Sequence, residues 1–425
     1  MSTDFVLHVD MLEQTAAWYF SLDNRDQKEY LYKKRTGLLQ RRIDKTQVNK
    51  SIELSSTTEA KPFLSHPVPA GSLKIREKEI SFNPGKILRE NEHIIQTLRE
   101  LKLQEWKIIA RANHTGRTII KKDQKDKKTD FTYYSLLVKL KLKGQRNYIE
   151  IGEGSSTGLK FNQDGLCSRI KKIVENHRGR KLLDFPDKVP VILNSGDGAI
   201  IFHELLGHSL EADYVYRGIS PIARQDIGHP IMPPKVTLTT HDANDHFFKG
   251  FPCDDEGEET GSAVLIENGV LKNLISDRAY KHRLNLDNCG HSRVEDFSRI
   301  PMPRMFALYV QPGAYHPGDL IASTKFGVYA SEFGDGKVFF DKRMFYFNIR
   351  EAWLIKDGKL SDPLGSIVVR GNILEVLNSV DMVAHDFRFD KGISYCFKNG
   401  QTINVRVGQP TVKINNLYVS REMDD

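Results

Sequence analysis

Apolar positions recur at helical spacing in only a few stretches of the chain and at strand spacing in many. Ile87, Leu88, Ile94, Ile95, Leu98 and Leu101 approximate one face of a helix across Pro84–Leu103. Residues 164–179 give a shorter amphipathic helix. Between them, 105–112, 116–122, 133–142 and 147–154 read as strands. The lysine cluster at 121–128 reads as an exposed hairpin loop that keeps an edge strand soluble. Residues 1–48 interleave Trp18, Tyr19, Phe20, Tyr30 and Tyr32 with basic residues and receive no element. Residues 49–72, rich in Ser, Thr and Pro, read as a linker or irregular loop.

From Pro190 the texture changes. Residues 189–215 predict a strand, a glycine-containing turn and a helix. Beyond Pro230 short strands dominate, and Asn268-Gly269, Asp357-Gly358 and Asn399-Gly400 sit between them as hairpin turns. The pattern predicts an α+β fold: a mixed α/β N-terminal region, then a β-rich C-terminal domain with the helix near its start. The expected domains are 1–75 (an N-terminal segment with its linker), 76–186 (α+β) and 187–425 (β-rich).

At 425 residues the chain exceeds one ordinary domain of about 100–200 residues. A hydrophobic content of 39% excludes a disordered chain. No window approaches the roughly 18 apolar residues of a membrane helix, so no membrane contact is expected. The start of the chain carries Asp4, Asp10 and Glu13 and no basic region, unlike a signal peptide. Cys167, Cys253, Cys289 and Cys396 form no CxxC pair, which excludes a zinc ribbon. The expected setting is therefore the reducing cytoplasm. Charge is uneven, at +13 over residues 1–185 and −6 over the rest. That asymmetry points either to a solvated basic face or to an acidic or nucleic-acid partner.

The chemistry concentrates at His203-Glu204-Leu205-Leu206-Gly207-His208, followed by Glu211 and Asp213. In the His-Glu-x-x-His helix of zinc proteases, two imidazoles at i and i+4 share a face and the glutamate serves as general base. Here the spacing is i, i+5, which leaves the rings about 140° apart on a regular helix. They converge on one ion only if the helix widens into a π-bulge, with Gly207 relieving crowding or letting the backbone yield. Glu204, His208 and Glu211, at i, i+4 and i+7, offer a rival face without distortion. A hydrogen-bonded patch without metal is the third reading. A metal site needs another ligand, and His229, His241, His246, His291, Cys253, Cys289 and Cys396 all compete.

The motif and its surroundings resemble the TldD/PmbA metalloprotease family. Residues 200–213 (IIFHELLGHSLEAD), 254–278, PMPRM at 301–305, 351–372 and 394–414 are similar to blocks of that family, in the same order, over more than half the chain. The resemblance implies the TldD-type catalytic subunit, with zinc held by His203, His208 and Cys396, and with Glu204 as general base and proton shuttle. It implies hydrolysis of small or unfolded peptides. It also implies dimers, either homodimers or heterodimers with a metal-free TldE/PmbA-type paralogue, around an enclosed chamber. Nucleic acid is not an expected partner on this reading. The alternative is an inactive binding or partner subunit whose basic N-terminal half contacts nucleic acid or an acidic partner.

One departure stands out. Ser394-Tyr395-Cys396-Phe397 replaces the family's usual Gly-Thr-Cys-Gly and sets two aromatic residues beside the expected ligand. Glu211 or Asp213 is a candidate to orient a ligand imidazole. Arg304 either binds a substrate carboxylate or makes a structural ion pair. Asp254, Asp255 and Glu256 form either a second metal site or a capped loop.

Overall fold

The computed structural model describes residues 6–44, 48–55, 82–121, 124–143, 148–181, 183, 185, 188–240 and 251–421. Its N-terminal half is one antiparallel sheet of strands β1 (Val6–Asp23), β2 (Lys28–Asp44), β3 (Val48–Ser55), β4 (Glu105–Lys121), β5 (Lys127–Lys141) and β6 (Ile149–Ser155). The spatial order is β3-β2-β1-β4-β5-β6. Helices α1 (Pro84–Glu90), α2 (Glu92–Glu100) and α3 (Gln163–Gly179) complete this half. Their apolar stripe, including Ile87, Ile94, Leu98, Leu166, Ile170 and Ile173, is buried against Trp106, Ile108, Leu136, Val138 and Ile151 of the sheet.

Several local expectations are corrected. The single helix over 84–103 is two, broken at Asn91, whose backbone leaves the helical region (φ −121°). The Asn91 side chain donates to the Ile87 carbonyl at 2.8 Å, a local bond that competes with helix continuation. The two strands read at 105–112 and 116–122 are one, β4. The stretch 49–72 is not irregular at its start, since 48–55 pairs with β2. Its remainder from residue 56 lies outside the described residues. The lysine cluster is exposed at 124–126 and Lys128, as expected of a turn between β4 and β5, but Lys121 and Lys127 are drawn out of solvent. Lys121 is buried, 2.7 Å from Glu258, and Lys127 donates to the Gly257 carbonyl at 2.9 Å. These bonds fasten the sheet to the C-terminal half.

The C-terminal half is built on a closed ring of strands 189–193, 326–339, 344–356, 359–372 and 412–421. Residues 191–193 run parallel to 328–330, and pairing of 367–370 with 418–421 closes the ring. Closure leaves no open edge for aberrant pairing, apart from the attached strand 380–383. A second sheet orders 270–271, 263–267, 238–240, 307–310, 406–409 and 388–389. The two share a core that includes Val191, Leu193, Leu238, Leu308, Phe345 and Val412. All three Asx-Gly pairs turn hairpins, each with positive φ at both residues: 48° and 80°, 50° and 73°, 50° and 75°. Those are the mirror-image turns that match strand twist. Among the described residues no helix is long and apolar enough to cross a membrane.

A buried ion cluster also joins the halves. Arg117 bonds Glu13 at 2.5 Å, Asp255 through both carboxylate oxygens at 2.7 and 2.8 Å, and the Val294 and Glu295 carbonyls. Asp254 accepts from the backbone amides of Glu256, Glu258 and Ser292. The acidic run 254–256 is thus a loop organiser. Burial raises the Glu13 carboxyl to about 7 despite the pull of Arg117. A raised carboxyl binds its proton more tightly in the folded state, so its contribution is full below the unfolded value and is lost as pH rises through about 7. Stability should therefore decline between pH 5 and pH 8 by up to about 3 kcal/mol more in the wild type than in Glu13→Gln. Urea denaturation of both proteins at the two pH values checks this.

Candidate metal centre

The helix carrying His203 and His208 is not regular. Residues Ile200–Phe202 are α-helical, His203–Gly207 form a π-turn, and His208–Leu210 tighten into a 3₁₀ turn. The His208 amide bonds the His203 carbonyl, an i to i+5 connection. The π-turn brings round the i, i+5 pair that a regular helix would separate, and the ring centroids lie 5.1 Å apart. Gly207 works by lacking a side chain. A Cβ there would lie 2.2 Å from Met305 Sδ, and Met305 is fully buried. The backbone of Gly207 stays right-handed (φ −52°), so it is the space and not the conformation that requires glycine. Gly207→Ala should destabilise the fold by roughly 1–3 kcal/mol, the usual cost of overpacking. The measurement is a chemical denaturation midpoint; a value equal to wild type would show that Met305 can give way.

At Glu211 the helix stops. Its backbone is extended (φ −72°, ψ 122°), and the flanking Leu210 carbonyl and Ala212 amide pair with Ile275. The stop turns the Glu211 carboxylate back onto His208 Nδ1 at 2.8 Å, the outer bond that fixes a metal-binding imidazole with Nε2 free. The rival Glu204/His208/Glu211 ligand face is not formed.

Cys396 arrives from the hairpin Tyr395–Lys398/Gln401–Asn404. Its Sγ lies 3.3 Å from His208 Nε2. The donor atoms of His203, His208 and Cys396 all fall within 4.8 Å of one another, and all three residues are buried. Neither ring nitrogen of His203 has a hydrogen-bond partner among the described residues. A buried imidazole left so is costly and fits a metal ligand. Burial pushes the Cys396 thiol up, but the two imidazoles outweigh it and bring it well below its ordinary value. A ready thiolate and two imidazoles suit a borderline-soft transition metal.

The other candidate ligands are elsewhere. His229 is exposed near Gln225, and His291 is buried against Thr240. Cys253 packs with Met11, Leu39 and Phe297, and Cys289 sits near Glu258. His241 and His246 lie outside the described residues. Arg304 is corrected on both readings: fully buried, it donates to the backbone carbonyls of Cys396 (2.6 Å) and Gln401 (3.4 Å), so it braces the hairpin.

Lys398 was missed by the sequence reading. Its buried ammonium lies 2.8 Å from Glu211 and 2.7 Å from Asp213, and 4.2 Å from the Tyr214 ring centre. Burial works against the Glu211 charge, yet Lys398 and then His208 pull its carboxyl down to about 2. Asp213 thus acts on His208 only through Lys398. The signal was present in the hairpin: strand alternation puts Lys398 on the same face as Cys396.

Glu204 is partly buried and, with His208, lines a cleft of about 810 Å³. Ser135 and Leu137 of β5 form part of its wall, so both halves of the chain enclose the site.

Residues 186–421 match the PmbA/TldA metallopeptidase C-terminal domain. A metalloprotease TldD homolog from Buchnera aphidicola is 33% identical over 67% of this chain and 61% of its own length. A zinc metalloprotease TldD homolog from Saccharolobus solfataricus is 31% identical over 64% of this chain and 61% of its own. The chain therefore spans less than two thirds of these curated relatives. Among solved structures, TldE from Thermococcus kodakarensis has the same fold (TM-score 0.72, 16% identity, 98% of this chain and 96% of that one).

Proposed function

Because the chain belongs to the PmbA/TldD metallopeptidase family, we propose that it is a zinc-dependent peptidase hydrolysing small or unfolded peptides. The observation that carries this is the buried convergence of His203, His208 and Cys396 beside a glutamate that opens onto the cleft. Those three side chains would hold the ion, which when bound lowers the pKa of water and polarises a carbonyl. Glu204 takes the proton of the attacking water and passes it to the leaving amine. Glu211 holds the His208 ring in register, and Lys398 keeps Glu211 ionised.

The same proposal includes a cytoplasmic setting and a dimer, either of this chain or with a metal-free paralogue. Light scattering of the protein alone, and after co-expression with such a paralogue, tests the assembly. The activity test is metal content by mass spectrometry on protein purified without chelator, followed by digestion of unfolded peptides. About one zinc per chain and cleavage that stops on chelation are expected. A chain that takes up no metal when zinc is offered would end this reading.

A further inference from the structure

The outward face of the Cys396 hairpin carries a feature that the metal centre does not use. Alternation along the strand sends Cys396 and Lys398 inward and Tyr395 and Phe397 outward. Both outward rings line the cleft that Glu204 and His208 line. Phe397 is 71% exposed, more than any other large apolar side chain among the described residues. Its Cα is one residue, about 3.8 Å, from that of Cys396. An apolar ring left open to water in this position gains from a substrate group that covers it.

The surroundings say which group that is. Tyr395 is braced: its ring meets the buried Tyr133 ring edge-on, with centroids 6.1 Å apart, and Tyr133 donates to the Gly392 carbonyl at 2.7 Å. Phe397 therefore stands beside a ring that packs on the protein interior. A second aromatic run lines the same cleft, from Tyr214, 6.4 Å from the His208 ring, to Phe340, a further 5.6 Å on. The cleft also carries charged groups, and two pairs of them neutralise each other. Arg169 pairs with Glu332 at 2.8 Å, and Lys139 pairs with Glu150. On the strand of Cys396 itself, the side chains that open to the cleft are the aromatic Tyr395 and Phe397.

We propose that Phe397, supported by Tyr395, forms an apolar subsite selecting peptides with a large apolar side chain next to the cleaved bond. This rests on the peptidase reading above and names its substrate class.

The test uses the zinc-loaded full chain and quenched fluorogenic peptides, identical except for Phe, Leu, Ala or Ser walked through the positions around the cleaved bond. At one position, Phe or Leu should exceed Ala by about tenfold or more in kcat/KM, as expected for an apolar pocket, falling to within about threefold in Phe397→Ser. Phe397→Leu should restore the preference, and metal content of each variant checks that the hairpin is intact. In parallel, fluorescence anisotropy measures binding of the same peptides to Glu204→Gln with and without the Phe397→Ser change. Cleavage without preference, or a preference that survives Phe397→Ser, overturns the subsite but leaves the peptidase. Binding that favours Phe over Ala through Phe397, with no cleavage of any peptide, sinks the peptidase reading and keeps the subsite. A preference intact in Phe397→Ser together with a changed mass by light scattering would assign Phe397 to an interface between copies, and also overturns it.

Discussion

Glu204→Gln is expected to retain zinc at the wild-type ratio and to lose peptide cleavage by roughly 10²–10⁴-fold, the usual worth of a positioned acid–base group. Glutamine keeps the shape of the side chain and cannot accept a proton. The metal should stay because Glu204 is not among the three converging donors and faces the cleft instead. Metal content and kcat/KM measured on the same preparation separate the two effects. Loss of zinc together with activity would make Glu204 a structural member of the centre. Retained activity would move the general base to another residue.

Lys398→Met should have the largest effect on the fold among the residues around the centre. The ammonium is fully buried between Glu211 and Asp213. Its removal leaves two interior carboxylates without their cation, a change that typically costs about 3–5 kcal/mol. The pH dependence follows from the same contacts. Glu211, held down to about 2, contributes stability that is full above its unfolded value and is lost progressively as pH falls from there through about 2. Without Lys398 that carboxyl rises towards its unfolded value, so less stability is left to lose on acidification. The bond from Glu211 to His208 weakens with it, and zinc affinity should fall about 10–100-fold, as for other outer partners of ligand histidines. Denaturation across pH and competition with a chromophoric chelator measure both. Wild-type stability and affinity in Lys398→Met would show that the two carboxylates find other compensation.

Much of the site was legible in the residues, and the limits were physical. The i, i+5 spacing of His203 and His208 stated the problem, and the π-turn is the solution that helical geometry allowed. Choosing among the distant candidates for the third ligand was beyond periodicity. Cys396 lies 188 residues from His208, and only tertiary packing joins them. Lys398 was overlooked because a lysine in a strand usually faces water, although its register with Cys396 gave it away. Arg304 looked available for substrate, yet its neighbours bury it. The α+β class and the three Asx-Gly hairpins followed from local turn chemistry. The long strands β1 and β2 did not, because their mixture of charged and aromatic positions shows neither period clearly. They are held by pairing with each other and with β4.

The closed ring of the C-terminal half bears on how the protein matures. Its strand 189–193 lies between 326–339 and 412–421, so one neighbour arrives late in synthesis and the other at the end of the ring's sequence. Pairings so distant in sequence pay their loop-closure entropy before they return any stability, which makes assembly slow. The three candidate ligands are split in the same way, with the two histidines just after the ring's first strand and the cysteine before its last. A nascent chain thus carries two of the three donors without the third while the 188 residues from His208 to Cys396 are made. The three side chains come together only when nearly the whole ring can form, which makes their convergence one of the chain's last folding events.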